Sequence, residues 1–155
     1  MEKVTLDEID KKILMRLQKD AMLSLQAIAD SVHLTSTPCW KRIKRLESLG
    51  VIRNRVAILD AELVGRPFIA FVQLKTQNHS ERWYRKFMEA IDHFDAVMAC
   101  YRMAGEYDYL LRVQVADMAA FDRFYKRLVN EIDGLTDVTS SFAMEVLKES
   151  TALEL

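Results

Sequence analysis

The sequence predicts an α+β protein, an N-terminal winged helix-turn-helix followed by a ferredoxin-like βαββαβ domain. Three observations predict it. Apolar residues recur at helical spacing in three short segments between Leu6 and Gly50. From Phe68 onward, strand-like and helix-like runs alternate in the order β-α-β-β-α-β within fewer than 90 residues. Between the two lies Asp60 to Pro67, where Gly65 and Pro67 mark a boundary. The 155-residue length fits one ordinary domain or two small ones, and the boundary divides it into 1–62 and 63–155.

In the first part, Leu6, Ile9, Ile13, Leu14 and Leu17 form one apolar stripe, and Asp7, Glu8 and Asp10 sit where a helix dipole favours negative charge. This helix extends to about Asp20. Ser24 is an N-cap for a second, two-turn helix carrying Leu25, Ile28, Ala29 and Val32. After a tight connection at His33 and Leu34, Thr35, Ser36 and Thr37 are candidate caps, and Pro38 falls where a first turn tolerates proline. Cys39, Ile43 and Leu46 give this third helix its apolar face, and Gly50 ends it. Val51 to Leu59 alternates loosely and is expected to form a strand or paired wing.

In the second part, Phe68–Lys75 is rich in β-branched and aromatic residues, and Glu81–His93 carries Trp83, Phe87 and Ile91 at helical spacing. Val97–Met103 and Tyr109–Val115 form a hairpin around Gly105-Glu106-Tyr107-Asp108. A helix over Met118–Ile132 and a strand over Val138–Leu147 complete the set. Such a sheet has one face without helices. Phe71, Tyr101, Leu111 and Phe142 are expected to face a second copy of the domain there.

Charge distribution separates the two parts. The net charge is −1, yet residues 1–60 hold 11 Lys/Arg against 8 Asp/Glu, and residues 61–155 hold 11 against 15. From His33 to Arg55 there are six basic residues and one acidic. A basic patch on an acidic body is what a phosphate-binding surface requires. A helix held by a preceding helix and turn can enter a major groove about 12 Å wide. Lys41, Arg42, Lys44 and Arg45 are then the phosphate or guanine-edge contacts, with Thr37 near the bases. Thr35 and Ser36 complete the helix start, and Arg53 and Arg55 extend the surface as a wing on flanking phosphate. Trp40 has two readings, packing beneath the domain or lying against the sugar-phosphate backbone, with packing preferred.

The second candidate site is the hairpin turn. Gly105 permits a positive φ or close backbone approach, and Asp108 beside backbone N–H groups offers a place for the ammonium and carboxylate of an amino acid. Taken alone, the same residues also make an ordinary turn. Glu106 and Asp108 lack a nucleophile, metal cluster or phosphate loop beside them, so neither an enzyme nor a cofactor is expected. His33, His79 and His93 lack ligand spacing, so no metal site is expected. Cys39 and Cys100 lie in apolar-periodic segments and read as reduced thiols. With no membrane-length apolar run and no signal-like stretch over Met1 to Glu8, a cytoplasmic location is expected. Two other classes stay open: an amino-acid-binding enzyme subunit, which has no use for the basic helix, and a single-strand RNA binder, for which Tyr101 and Phe142 on an acidic half are weak candidates.

Three stretches resemble the Lrp/AsnC, or feast/famine, regulators. They are Asp10-Lys11-Lys12-Ile13-Leu14, Leu34 to Glu47 with Gly50-Val51-Ile52, and Gly105-Glu106-Tyr107-Asp108-Tyr109-Leu110-Leu111. The resemblance covers nearly the whole chain, although Trp40 stands where members often have Leu. It implies a transcriptional regulator that binds double-stranded DNA and is modulated by a small effector, usually an amino acid. It implies dimers assembling into tetramers, octamers or higher. Carried over, the effector contacts are Gly105, Asp108 and Tyr109, with Thr139, Ser140 and Ser141 on the last strand. Ser140-Ser141-Phe142-Ala143-Met144-Glu145 resembles the branch that controls cysteine detoxification, which implies cysteine as the effector.

Overall fold

The computed structural model describes residues 4–155, which divide into two compact units, 4–58 with 148–155, and 59–147. Residues 1–3, part of the N-terminal stretch read above as lacking a signal, lie outside the described residues. The partition falls four residues before the boundary expected at 62/63. The tail 148–155, which the sequence places with the second part, groups with the first because the Gln18 amide brackets Leu153. Its Nε2 donates to the Leu153 carbonyl at 3.0 Å, and its Oε1 accepts from the Leu153 N–H at 2.7 Å.

The first unit contains α1 (Glu8–Lys19), α2 (Leu25–Ser31) and α3 (Ser36–Ser48). The Asp7 carboxylate caps α1 by accepting from the Asp10 N–H at 2.8 Å, while the Asp10 side chain reaches back to the Asp7 N–H. Ser24 caps α2 through the Ala27 N–H. Ile13, Ile28, Ala29, Val32, Cys39 and Ile43 pack into one core, each helix contributing its apolar face. The Ser36 hydroxyl donates to Gln26 Oε1 at 2.6 Å and fixes the start of α3 against α2.

The expected wing strand is not formed. Residues 53–60 adopt no regular structure and are exposed, Val56 at 72% and Ile58 at 76%. A strand needs a neighbour to satisfy its ladder, and among the described residues the regular elements of the first unit are helices. Alternation in sequence marks strand-competent chain without providing that neighbour.

The second unit holds β1 (Phe68–Thr76), α4 (Glu81–Asp92), β2 (Val97–Arg102), β3 (Tyr109–Val115), α5 (Met118–Glu131) and β4 (Leu135–Phe142). All pairings are antiparallel and the order is β2-β3-β1-β4, the ferredoxin-like arrangement. Strand alternation sends Ala70, Val72 and Leu74 of β1 and Tyr109, Leu111, Val113 and Val115 of β3 into the core. There they meet Trp83, Phe87 and Ile91 of α4 and Phe121, Phe124 and Leu128 of α5.

Two further expectations are corrected here. The last strand runs Leu135–Phe142 rather than Val138–Leu147: its ladder with β1 spans Ala70 to Thr76, and past Phe142 a single further bond, from the Ala143 N–H to the Ile69 carbonyl at 3.0 Å, precedes irregular chain. Leu111 and Phe142 are not on the helix-free face, although Phe142 stays 41% exposed. Leu111 is fully buried in the core, and the Phe142 ring packs edge-on to Phe121 of α5 at 5.1 Å. Phe71 and Tyr101 do lie on the helix-free face, 39% and 54% exposed.

Gly134 precedes β4 at φ +79°, and a Cβ there would come within 3.3 Å of Trp83 Nε1, whose N–H donates to the Asp133 carbonyl at 2.7 Å. Gly134→Ala is therefore expected to destabilise the protein by about 1 kcal/mol or more, read as a lower urea midpoint at unchanged m-value.

Candidate nucleic-acid interface and effector site

Helix α3 buries Cys39, Ile43 and Leu46 and turns Thr37, Trp40, Lys41, Lys44 and Arg45 to solvent. What the exposed side can do depends on a carboxylate beneath it. The Asp10 side chain is 1% exposed and accepts from two guanidinium groups of α3, Arg42 Nη1 at 2.8 Å and Arg45 Nη2. Arg42 Nη1 also donates to Asp7 at 2.6 Å, and these bonds raise its pKa above the usual arginine value. A buried carboxylate requires such partners, and the two arginines in turn fix the rotation of α3 about its axis.

Arg42 is thus a structural cation. Arg45 gives one N–H to Asp10 and remains 44% exposed. Lys44 and Arg55 share Glu47, at 2.7 and 3.0 Å, and Lys44 is the main cause of a Glu47 pKa below its usual value. Thr35, Thr37, Lys41 and Arg53 have no side-chain hydrogen bond or ion pair among the described residues. Thr35 occupies the N-cap position of α3 without a side-chain cap bond, and Ser36 is engaged with Gln26.

Trp40 departs from the preferred reading. It is 49% exposed and, at i+3 from Thr37 and i−4 from Lys44, shares their face rather than packing beneath the domain. Every buried position of α3 is already occupied by Cys39, Ile43 and Leu46, one residue out of phase with it.

In the second unit the hairpin turn is built as a latch. The Asp108 N–H donates to the Leu74 carbonyl at 2.9 Å, its carboxylate accepts from the Thr76 N–H at 2.8 Å, and its carbonyl accepts from the Met103 N–H. One carboxylate oxygen thereby joins the turn to the end of β1. Gly105 stands at φ +152° with open space where a Cβ would point, so glycine is needed there for conformation rather than for room.

Alternation along β3 and β4 sorts the remaining effector candidates. Tyr109 is 4% exposed, its ring 4.4 Å from Phe87 and 5.9 Å from Trp83, and burial pushes its phenol pKa up. Its side chain belongs to the core. Ser140, opposite Val72, points to the same helix-covered side, and its buried Oγ has no hydrogen-bond partner among the described residues. Thr139 and Ser141, opposite Gln73 and Phe71, face the other way.

On that helix-free face the structure gathers Thr139, a sequence-predicted contact, with residues that sequence reasoning missed. The Tyr107 hydroxyl donates to Thr139 Oγ1 at 3.3 Å, and Thr139 donates to Asp137 Oδ1 at 3.3 Å. Lys75 Nζ lies 3.2 Å from Glu106 Oε1 and 4.8 Å from the centre of the Tyr107 ring, with its pKa raised chiefly by Glu106. The signal was present in the alternation of β1, in which Phe71, Gln73 and Lys75 share the face opposite Val72 and Leu74. The outcome is a polar cluster of one cation, two acids and two hydroxyls beside the Asp108 latch.

A helix-turn-helix with a basic, apolar-backed third helix, joined in one chain to a ferredoxin-like domain bearing a polar cluster, defines a two-domain transcriptional regulator. The chain belongs to the Lrp/AsnC family: residues 6–47 match the AsnC-type helix-turn-helix domain and residues 69–153 the Lrp/AsnC ligand binding domain. It is 57% identical over 150 residues to the DNA-binding transcriptional activator DecR of Escherichia coli K12, covering 97% of this chain and 99% of that protein. The crystal structure of an AsnC family transcriptional regulator from Agrobacterium tumefaciens superimposes with a TM-score of 0.92 at 46% identity, over 96% of this chain and 97% of that one. A Neisseria meningitidis transcriptional regulator solved in complex with L-Met gives 0.90 at 32% identity, over 97% of both chains. None of the described helices is long and apolar enough to cross a membrane.

The Asp7 carboxyl is held below its ordinary 3.8, first by the Asp10 N–H and then by Arg42. A depressed acid stabilises the fold above its unfolded pKa and ceases to do so as pH falls through the lowered value. Acid unfolding of the wild type should therefore steepen below about pH 4, and Asp7→Asn should show a shallower acid limb in circular-dichroism melts across that range.

Proposed function

We propose that this protein is a cytoplasmic, sequence-specific regulator that activates transcription from double-stranded DNA, acts as a homodimer or larger assembly, and responds to an amino acid. The observation that carries the DNA reading is the exposed face of α3, with Lys41, Trp40 and Thr37 presented while Asp10 holds the helix from below. Thr37 and Lys41 face base edges and phosphate; Trp40 lies along the sugar-phosphate backbone. Arg53 adds a phosphate contact directly, and Lys44, Arg45 and Arg55 add others once Glu47 and Asp10 are outcompeted by the polyanion. A binding protein of this kind transforms no substrate.

For the effector, the cluster of Lys75, Glu106, Tyr107, Asp137 and Thr139 offers a cation for a carboxylate and acids for an ammonium group, and Asp108 retains one oxygen beyond its bond to Thr76. Gly105 allows the turn to close over the ligand. Cysteine is the effector we favour, on the resemblance of residues 140–145 to the cysteine-detoxification branch. The half-exposed Phe71 and Tyr101 make the helix-free face the surface that a second protomer covers.

DNA titrations across a salt series test the first half. The wild type should show a linear loss of log K with log salt, and Lys41→Ala should reduce that slope by about 1 at every sequence tried. A wild type with no salt dependence ends the reading. For the second half, Thr139→Val should weaken cysteine binding in calorimetry by roughly tenfold, the effect of about one hydrogen bond to a charged group, with DNA affinity in the absence of cysteine unchanged. An unaltered cysteine affinity removes the cluster from the site.

A further inference from the structure

The second unit is acidic, with 10 Lys/Arg against 14 Asp/Glu over residues 59–147, yet three of its arginines converge on one cavity. The cavity has a volume of about 660 Å³, within the range of small-molecule sites, and is lined by Arg66, Arg123 and Arg127 with Asp95 as its one carboxylate. It lies at the end of β2 and β3 opposite the hairpin turn, beside Ala96 and Val115. Six residues of strand rise, at roughly 3.3 Å each, separate the ends, so about 20 Å divides this cavity from Gly105 and Asp108. The two are distinct sites.

Arg123 and Arg127 are spaced i, i+4 on α5, where like charges destabilise a helix. Arg127 is partly offset by Glu131 at 3.2 Å and lies over the Phe94 ring at 4.9 Å, whereas Arg123 has no ion pair or hydrogen bond among the described residues. The neighbouring Asp122 is turned away and engaged with Lys126. The floor is rigid and apolar: Phe94 and Phe124 meet edge-on at 5.4 Å and 79°, both nearly buried, beside the small side chains of Ala96 and Ala120. The wall at Arg66 is tied down, since its carbonyl accepts from Gln114 Nε2 at 3.0 Å and its N–H donates to the Ala61 carbonyl at 2.7 Å. The lining also reaches the first turn of α5 at Ala120, whose N–H is taken by the capping Asp117 carboxylate at 2.7 Å, so the cavity's positive charge comes from the arginines.

We infer that this cavity is a second small-molecule site, taking an organic acid with one carboxylate and a compact apolar body. The carboxylate is received by Arg123 and the outer edge of Arg127, and the apolar body rests on the alanines and phenylalanines below. A planar guanidinium fork suits a carboxylate, and an apolar floor of this size excludes a fully hydrated inorganic anion. The inference does not depend on the hairpin cluster or on the identity of the amino acid bound there.

The test uses 3-phenylpropionate as probe on the full chain, followed by calorimetry and by amide NMR. One molecule per chain is expected to saturate, with shifts at residues 93–96, 114–116 and 120–127 and none at 105–109. The neutral analogue 3-phenylpropionamide should bind at least tenfold more weakly, and an Arg123→Gln, Arg127→Gln double variant should lose at least tenfold for the acid. Both arginines are exposed, so the variant's thermal midpoint and its DNA affinity should match the wild type; Arg123→Lys, keeping charge but losing the fork, should fall between. Equal binding of acid and amide, shifts centred on the hairpin, undiminished binding by the double variant, or no saturation overturns the inference.

Discussion

A carboxylate that water does not reach, Asp10, governs which cations of α3 are available to a ligand. With its side chain 1% exposed, it is tolerated only because Arg42 and Arg45 complete its hydrogen bonding and because its own helix is capped by Asp7 in the same network. The arginine bonds in that set tie the start of α1 to α3, so the angle at which α3 is presented follows largely from the chemistry of one side chain. The arginine nearest in sequence to the exposed face, Arg42, serves as a fastening, and the lysine beside it is left as a probe.

Alternation plays the corresponding part in the second unit. Along β4 the hydroxyl residues Thr139, Ser140 and Ser141 are consecutive, and a strand cannot send all of them to one face. Pairing with β1 decides the parity. Thr139 joins Tyr107 and Asp137 on the helix-free side, while Ser140 is turned inward with its oxygen unpartnered among the described residues. The same parity puts Tyr109 into the aromatic stack with Phe87 and Trp83 and leaves its neighbour Asp108 at the surface as the latch.

Element type and order were legible in the sequence because local signals agreed: Ser24 as a cap, Pro38 in a first turn, Cys39, Ile43 and Leu46 on one stripe, alternating runs around Gly105. Misreadings arose where the deciding partner is remote in sequence. The wing over residues 51–59 has the pattern of a strand but no strand paired with it among the described residues, and β4 takes its register from β1, far earlier in the chain. The commitments of Arg42 to Asp7 and of Arg55 to Glu47 are pairings between charges, and a count of charges cannot show them. Lys75 and Tyr107 escaped notice for the same reason, since a cluster across β1, the hairpin and β4 exists only once the sheet is assembled.

These pairings change what the charge asymmetry means. Six cations between His33 and Arg55 suggest strong attraction to DNA, but Arg42 and Arg45 answer Asp7 and Asp10, and Lys44 and Arg55 answer Glu47. Lys41 and Arg53 are the cations of that stretch outside any ion pair among the described residues. Since the salt-dependent part of DNA affinity scales with the number of phosphates neutralised, one protomer with so few uncommitted charges holds DNA weakly by electrostatics alone. Joining two such units raises the effective concentration of the second contact without any new chemistry. In the homo-oligomer proposed above, assembly is an efficient point of control. A ligand that shifts the association of protomers shifts DNA affinity through multivalency, and linkage requires DNA to shift ligand affinity by the same factor.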